Sequence, residues 1–226
     1  MSEQQTIDTL ISWIRDSVPD EVNVLVPISG GTDSALCFFI CSQAVPEKTT
    51  AIYIGDELPH SEWFETVGNV QKLQLSTTKD TQGGQAEIER WALFMNLAIQ
   101  ENRMLIGSRN RTEQILGTYS MASRVAWMYP IIGLWKHDVL RFCEYIGVPQ
   151  AIIASSNQAD PACGRPEELA QIPHVLVDAF AQSRLERKPL NVSTLHADQE
   201  AYLEKIYNRN SFKHTLPHEG PIIETV

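Results

Sequence analysis

The chain has 226 residues, 43% apolar and 20% charged, which is enough for one sizeable core and ordinary for a soluble globular protein. With 28 acidic against 18 basic residues its formal net charge is −10, which argues against a protein that coats nucleic acid, because that needs a basic footprint. No apolar run approaches the roughly 18 residues of a membrane span. The polar start Met1–Gln5 lacks the apolar region of a secretory segment, so a cytoplasmic location is expected.

Ile7, Leu10, Ile11, Trp13, Ile14 and Val18 recur at helical spacing, which predicts an amphipathic helix over 4–18. The β-branched run from Val22 to Ile28 predicts a buried strand. Ser29-Gly30-Gly31-Thr32 then forms a loop, followed by an apolar helix from Asp33 to about Ala44. Thr49 to Ile54 reads as a second strand, 60–73 as a helix, and Leu73 to Ser76 as a short strand. Lys79 to Gly84 is polar and ends in a glycine pair, the composition of a loop. A long helix is predicted over 85–101, a strand over Arg103–Gly107, a helix over Asn110–Gly117 and a loop over 118–130. Lys136 to Ile146 is amphipathic and ends at Gly147, with Pro149 beyond it as expected after a helix C-terminus. Residues 155–166 read as a loop, Pro173–Leu185 and His196–Asn208 as helices, and the tail from His214 as loose. Strands alternate with helices, so the expected fold is a single α/β domain with a doubly wound, mostly parallel sheet and helices on both faces.

The strand–loop–helix unit around Ser29 to Ser34 has a mechanical reading as a phosphate grip. Glycines let the backbone approach phosphate with no Cβ in the way. Successive N–H groups of the turn form an anion nest, and the helix N-terminus adds its positive end. Ser29 and Ser34 add hydroxyl donors. A bare carboxylate beside phosphates would repel them, so Asp33 makes best sense holding Mg²⁺ or capping the helix. The loop lacks the Gly-Lys-Ser/Thr ending of a Walker motif and the spacing of a dinucleotide fingerprint. Cys37, Cys41, Cys143 and Cys163 show neither Cys-x-x-Cys nor zinc spacing and read as small hydrophobes; Cys163 has no recognisable catalytic partner.

These residues resemble the S-G-G-x-D-S loop of the PP-loop ATP pyrophosphatases, which grips pyrophosphate as a substrate is adenylated. Gly107-Ser108-Arg109-Asn110-Arg111-Thr112-Glu113, followed by Gly117, resembles the G-T-x-N-[KR]-[ST]-E…G block of NAD synthetases. Pro130 to Lys136, with Val139 and Gly147-Val148-Pro149, resembles that family's P-x-x-x-L-[YF]-K-x-x-V…L-G-[VI]-P. The resemblance implies that Ser29, Gly30, Gly31, Thr32, Asp33, Ser34, Thr112 and Lys136 bind ATP and its pyrophosphate. It implies further that Asp33 and Glu113 hold Mg²⁺, that Asp33 and Lys136 carry the catalysis, and that the chain is a homodimer. Asp160, Glu167 and Lys213 resemble weaker acceptor-side positions, and Arg90 is the survivor of the family's paired arginines.

The departures lie on the acceptor side. The family's acidic G-D-G-x-x-D loop is replaced by residues 120–129, which hold no acid and add Arg124 with Trp127 and Tyr129. An intact ATP half with a rewritten acceptor half suits a smaller or more acidic substrate, or a divergent enzyme that holds deamido-NAD by other groups. The expected reaction is adenylation of a carboxylate by ATP and capture of the acyl-adenylate by ammonia, free or from a separate glutaminase. The alternatives are the same chemistry on another carboxylic acid, a PP-loop enzyme that modifies tRNA, and a nucleotide binder without catalysis.

Overall fold

The computed structural model describes residues 2–74, 84–159, 166–188, 190 and 195–215. Among them the strands β1 (Asn23–Ile28), β2 (Thr49–Ile54), β3 (Asn69–Leu73) and β4 (Arg103–Leu105) form one sheet, ordered β3-β2-β1-β4 with every pairing parallel. Parallel neighbours need crossovers, and helices supply them. Helices α1 (Glu3–Ser17), α2 (Thr32–Ala44), α3 (Ser61–Val67), α4 (Gly84–Gln100), α5 (Arg111–Leu116) and α6 (Lys136–Tyr145) are followed by the shorter α7 (Gln150–Ser155) and α8 (Glu167–Ala170). Helices α9 (His174–Glu186) and α10 (Ala197–Arg209) complete the described set.

The period of two in β1 sorts its side chains between two layers. Val24, Val26 and Ile28 enter the larger core with Ile14 of α1, Phe38 of α2 and Phe142 of α6. Leu25 faces the other way and joins Ile52 with Phe94 and Ala98 of α4. The sheet therefore carries helices on both faces, as the alternation of elements predicts. A third cluster, built on Leu116, Val177, Phe180, Leu203 and Ile206, packs α9 and α10 onto α5. No described helix is long and apolar enough to cross a membrane.

Two differences from the sequence reading have local causes. The helix expected over 60–73 stops at Val67, and β3 starts at Asn69. Gly68 stands between them because a Cβ there would lie 2.9 Å from Ser42 Oγ and 3.2 Å from the Phe38 ring. Short helices α7 and α8 flank the loop expected over 155–166, in stretches to which the sequence reading gave no element, each started by a proline, Pro149 or Pro166. Lys79–Gly83 of the expected loop, Leu75 and Ser76 of the expected short strand, Cys163 and most of the tail lie outside the described residues, and Gly84 opens α4. The other three cysteines are buried and burial raises their thiols, those of Cys41 and Cys143 to about 12, as inert small hydrophobes require.

The sheet order locates a site. The chain runs outward from β1 through β2 to β3, then returns to place β4 on the other side of β1. The crevice beyond the carboxyl ends of β1 and β4 is thus the topological switch point, where open α/β sheets bind ligands.

Candidate active site

The segments that leave β1 and β4 meet in that crevice. After Ile28 the chain turns through Gly30, whose φ of +82° is left-handed, and enters α2 with Gly31 as N-cap. The turn is tied internally. Gly31 N–H donates to Ser29 Oγ at 3.3 Å, Ser29 N–H to Ser34 Oγ at 3.2 Å, and Ser34 Oγ–H to the Gly31 carbonyl at 2.9 Å. Asp33 does not cap α2: it lies in the first turn, and its carboxylate turns to partners from two other segments.

Those partners come from the chain beyond β4. Asn110 caps α5 in a reciprocal box, its Oδ1 accepting from Glu113 N–H at 2.9 Å while Glu113 Oε2 accepts from Asn110 N–H at 3.2 Å. The free side of the Asn110 amide donates to Asp33 Oδ1 at 2.8 Å. Lys136, the first residue of α6 and only 9% exposed, forms an ion pair with Asp33 and donates to Thr32 Oγ1 at 2.9 Å. A buried lysine at a helix N-terminus opposes the helix dipole, and the Asp33 carboxylate offsets that cost.

Burial, then the Asp33 charge, pushes the Glu113 carboxyl up to about 7, although Lys136 and the Asn110 backbone pull it down. The Asp33 and Glu113 carboxylates, close enough for one charge to raise the other's proton affinity, are a pair of hard oxygen donors. That pair fits Mg²⁺, which commonly takes one or two carboxylates and completes its shell with water and substrate phosphates. Among the described residues no group of three or more His, Cys, Asp or Glu could hold a metal by itself. In metal-free buffer the folded chain holds the Glu113 proton between its ordinary value of 4.5 and about 7 while the unfolded chain does not. Stability is therefore expected to fall as pH rises through that window, and Glu113→Gln to flatten the fall. Melting curves in chelator at pH 5, 6, 7 and 8 check this, and a Glu113→Gln profile that overlays the parent would dismiss it.

Ser29 to Ser34, Arg90, Thr112, Glu113 and Lys136 all line one cavity of about 550 Å³. The other expected residues are placed differently. Lys213 lines an adjoining depression and donates to the Gly117 and Tyr119 carbonyls, both at 2.7 Å. Arg124 donates to the Tyr119 hydroxyl at 3.2 Å. Glu167 is exposed in the first turn of α8 and does not line the cavity, whereas Leu169 of the same helix does. Asp160 lies outside the described residues.

Sequence reasoning missed three participants. Asn110 was read as part of a motif, yet it joins the α5 cap to Asp33. Asp178 of α9, 3% exposed, accepts from the Thr112 hydroxyl and from His137 N–H at 2.9 Å, and its Oδ2 lies 2.7 Å from His137 Nδ1. Thr112 Oγ1 in turn accepts from Lys136 N–H at 3.0 Å, so Asp178 stands behind Lys136. Arg109, named in the sequence only as part of the Gly107–Glu113 block and given no role, is only 7% exposed.

The NAD synthase family model matches residues 66–217. The chain belongs to the NAD synthase family. It is 24% identical over 252 aligned positions to the NH3-dependent NAD+ synthetase of Helicobacter pylori strain J99, covering 95% of this chain and 96% of that protein. Against the corresponding synthetase of Wolinella succinogenes the identity is 23% over 185 positions, 72% of each chain. Two solved structures share the fold at a TM-score of 0.76. An NH3-dependent NAD synthetase from Campylobacter jejuni is 19% identical and covers 99% of this chain and 100% of its own. An NMN synthetase from Francisella tularensis is 22% identical and covers 98% and 100%. The family match takes in β4, α5 and α6, the segments that carry Asn110, Glu113 and Lys136 to the glycine loop.

Proposed function

We propose that this chain is an ammonia-dependent, adenylate-forming amide ligase that converts the carboxylate of a nicotinate-bearing nucleotide to its amide as ATP is cleaved to AMP and pyrophosphate. One observation carries the reading: Asp33, Glu113 and Lys136, from three separate segments, converge on the glycine loop at the switch point of the sheet. Family membership selects amide ligation over base modification, and a catalytic lysine with two carboxylates is more than a silent nucleotide binder needs.

A carboxylate resists attack by ammonia because its leaving group would be oxide. Its oxygen attacks the α-phosphorus of ATP, pyrophosphate leaves, and the acyl-adenylate then accepts ammonia and releases AMP. The loop of Ser29 to Ser34 binds the leaving pyrophosphate through backbone N–H groups and the two hydroxyls. Lys136 places a cation where negative charge develops on that group. Asp33 and Glu113 would hold Mg²⁺, which supplies further neutralisation of the phosphates when bound. Thr112 and Asn110 keep Lys136 and Asp33 in position. The protein's contribution is placement and electrostatics, and no side chain need form a covalent bond. The nitrogen comes from ammonia, either free or delivered by a separate glutaminase, and a homodimer in the cytoplasm is the state proposed.

Deamido-NAD is the acceptor that family membership suggests. A second reading keeps the chemistry and takes a smaller acid, nicotinate mononucleotide. It is favoured by the acid-free stretch 120–129, whose Arg124 gathers with other cations around Tyr119. The deciding assay is AMP and pyrophosphate release from Mg-ATP and ammonia with each acid in turn. Release with either nicotinate nucleotide upholds the ligase reading and names the acceptor; release with neither refutes it.

A further inference from the structure

The ATP chemistry does not use Arg109, which lines the cavity beside Tyr119, a residue the cavity shares with the adjoining depression that holds Lys213. The Arg109 guanidinium lies 3.4 Å from the centroid of the Tyr119 ring and 4.8 Å from that of Tyr129. Its Nη1 donates to Gln114 Oε1 at 3.0 Å and its Nη2 to Ser123 Oγ at 2.9 Å, both neutral acceptors. Among the described residues the buried Nε has no hydrogen-bond partner, and no carboxylate pairs with this guanidinium. A buried cation is costly without an anion, so this one is built for a charge that arrives from outside. Lys213 Nζ sits 5.0 Å from the same Tyr119 ring, on carbonyl acceptors, and Arg124 reaches that ring's hydroxyl. Burial and the neighbouring Arg109 and Arg209 charges lower the Lys213 ammonium below its ordinary value, while Glu87 opposes them. Of the carboxylates on the cavity wall, Glu113 is turned to Asn110 and stands with Asp33, while Glu87 lies where the cavity meets the depression and forms no ion pair with Arg109.

The triphosphate of ATP has its own grip at Ser29 to Ser34 and Lys136, so the second anion belongs to the acceptor. A carboxylate is satisfied by one guanidinium. Cations gathered on one aromatic ring suit a terminal phosphate, which carries nearly two charges on one centre and three acceptor oxygens. Arg109 also occupies the position that the G-T-x-N motif leaves open, as expected of a residue that sets specificity rather than the shared chemistry.

We propose that Arg109, clamped between Tyr119 and Tyr129 with Lys213 and Arg124 at the same ring, binds the phosphate of the acceptor acid, and that the preferred acceptor is a monophosphate. The assignment rests on the ligase reading above. Its test compares kcat/KM for nicotinate mononucleotide with that for the same nucleoside without phosphate, in the parent, Arg109→Met and Arg109→Lys. Charge-assisted hydrogen bonds of about 1.5–3 kcal/mol correspond to a loss of roughly 10- to 150-fold on the mononucleotide, seen in KM. The nucleoside and the KM for ATP should change less than about threefold, and Arg109→Lys should fall between parent and Arg109→Met.

Equal losses on both acids, or a loss confined to ATP, would overturn the assignment. So would an Arg109→Lys protein that treats the two acids as the parent does, which keeps the test decisive if Arg109→Met fails to fold. Inorganic phosphate provides a readout without turnover. With the loop filled by Mg-ATP, phosphate should raise the melting temperature of the parent more than that of either variant. If no nicotinate acid is turned over, the ligase reading falls, and phosphate protection alone then decides whether Arg109 is an anion site.

Discussion

Lys136→Met is expected to lower kcat for AMP formation by about 100- to 1,000-fold, the usual effect of removing one preorganised donor from a developing negative charge. Methionine has a similar length and keeps the packing of the stem, so the change isolates the ammonium. Lys136 Nζ is held by Asp33 and Thr32, both in the first turn of α2, so its position is fixed before any ligand arrives. The substitution also leaves Asp33 facing Glu113 with no cation between them. Stability should drop by about 1–3 kcal/mol, as for a partly buried ion pair that loses one member. Excess Mg²⁺ should restore part of the melting temperature, because a cation between the two carboxylates replaces the lost charge, but it should leave kcat low. A variant that folds and retains more than a tenth of the parental kcat would remove Lys136 from the catalytic step.

The parts of the site legible in the sequence are those whose chemistry is local. The Ser29–Ser34 loop can be read because glycines, a preceding β-branched strand and a following apolar helix are contiguous. Thr112, Glu113 and Lys136 lie in blocks with recognisable spacing, and the structure brings them to the loop. Asp178 carries no such signal. It sits 41 residues after His137 and 66 after Thr112, in a helix that also carries the exposed Gln182 and Glu186, so one more acid there reads as surface. Arg109 is obscured for the same reason: its burial depends on Tyr119 and Tyr129 folding over it from a segment with no periodicity. At the fold level, the strand order follows from pairings that no local pattern encodes. The end of the helix expected over 60–73 was set instead by close packing of α2 against Gly68.

Asp178 should prove nearly as demanding as Lys136 although it does not line the cavity. Its two oxygens take protons from Thr112 Oγ1 and from His137 N–H, on separate helices, and α9 is packed against both α5 and α6 around it. Leucine of similar size would leave the His137 N–H and the Thr112 hydroxyl without their acceptor in a buried place. At roughly 1–3 kcal/mol for each such group, Asp178→Leu should cost a large part of the stability of a domain this size. Asparagine separates packing from function. Its single carbonyl oxygen can serve the His137 N–H, but its amide then presents hydrogens to Thr112 Oγ1, which must turn its own proton away. Because that same Oγ1 accepts from Lys136 N–H, the change reaches the start of α6 and the lysine. Asp178→Asn is expected to lose about tenfold in kcat, the scale of a displaced supporting hydrogen bond, while KM for ATP and the melting temperature move little. A merely structural Asp178 would give the opposite result, a lower melting temperature with kcat preserved in the folded fraction. Pre-steady-state pyrophosphate release measured beside the melting curve of each variant separates the two.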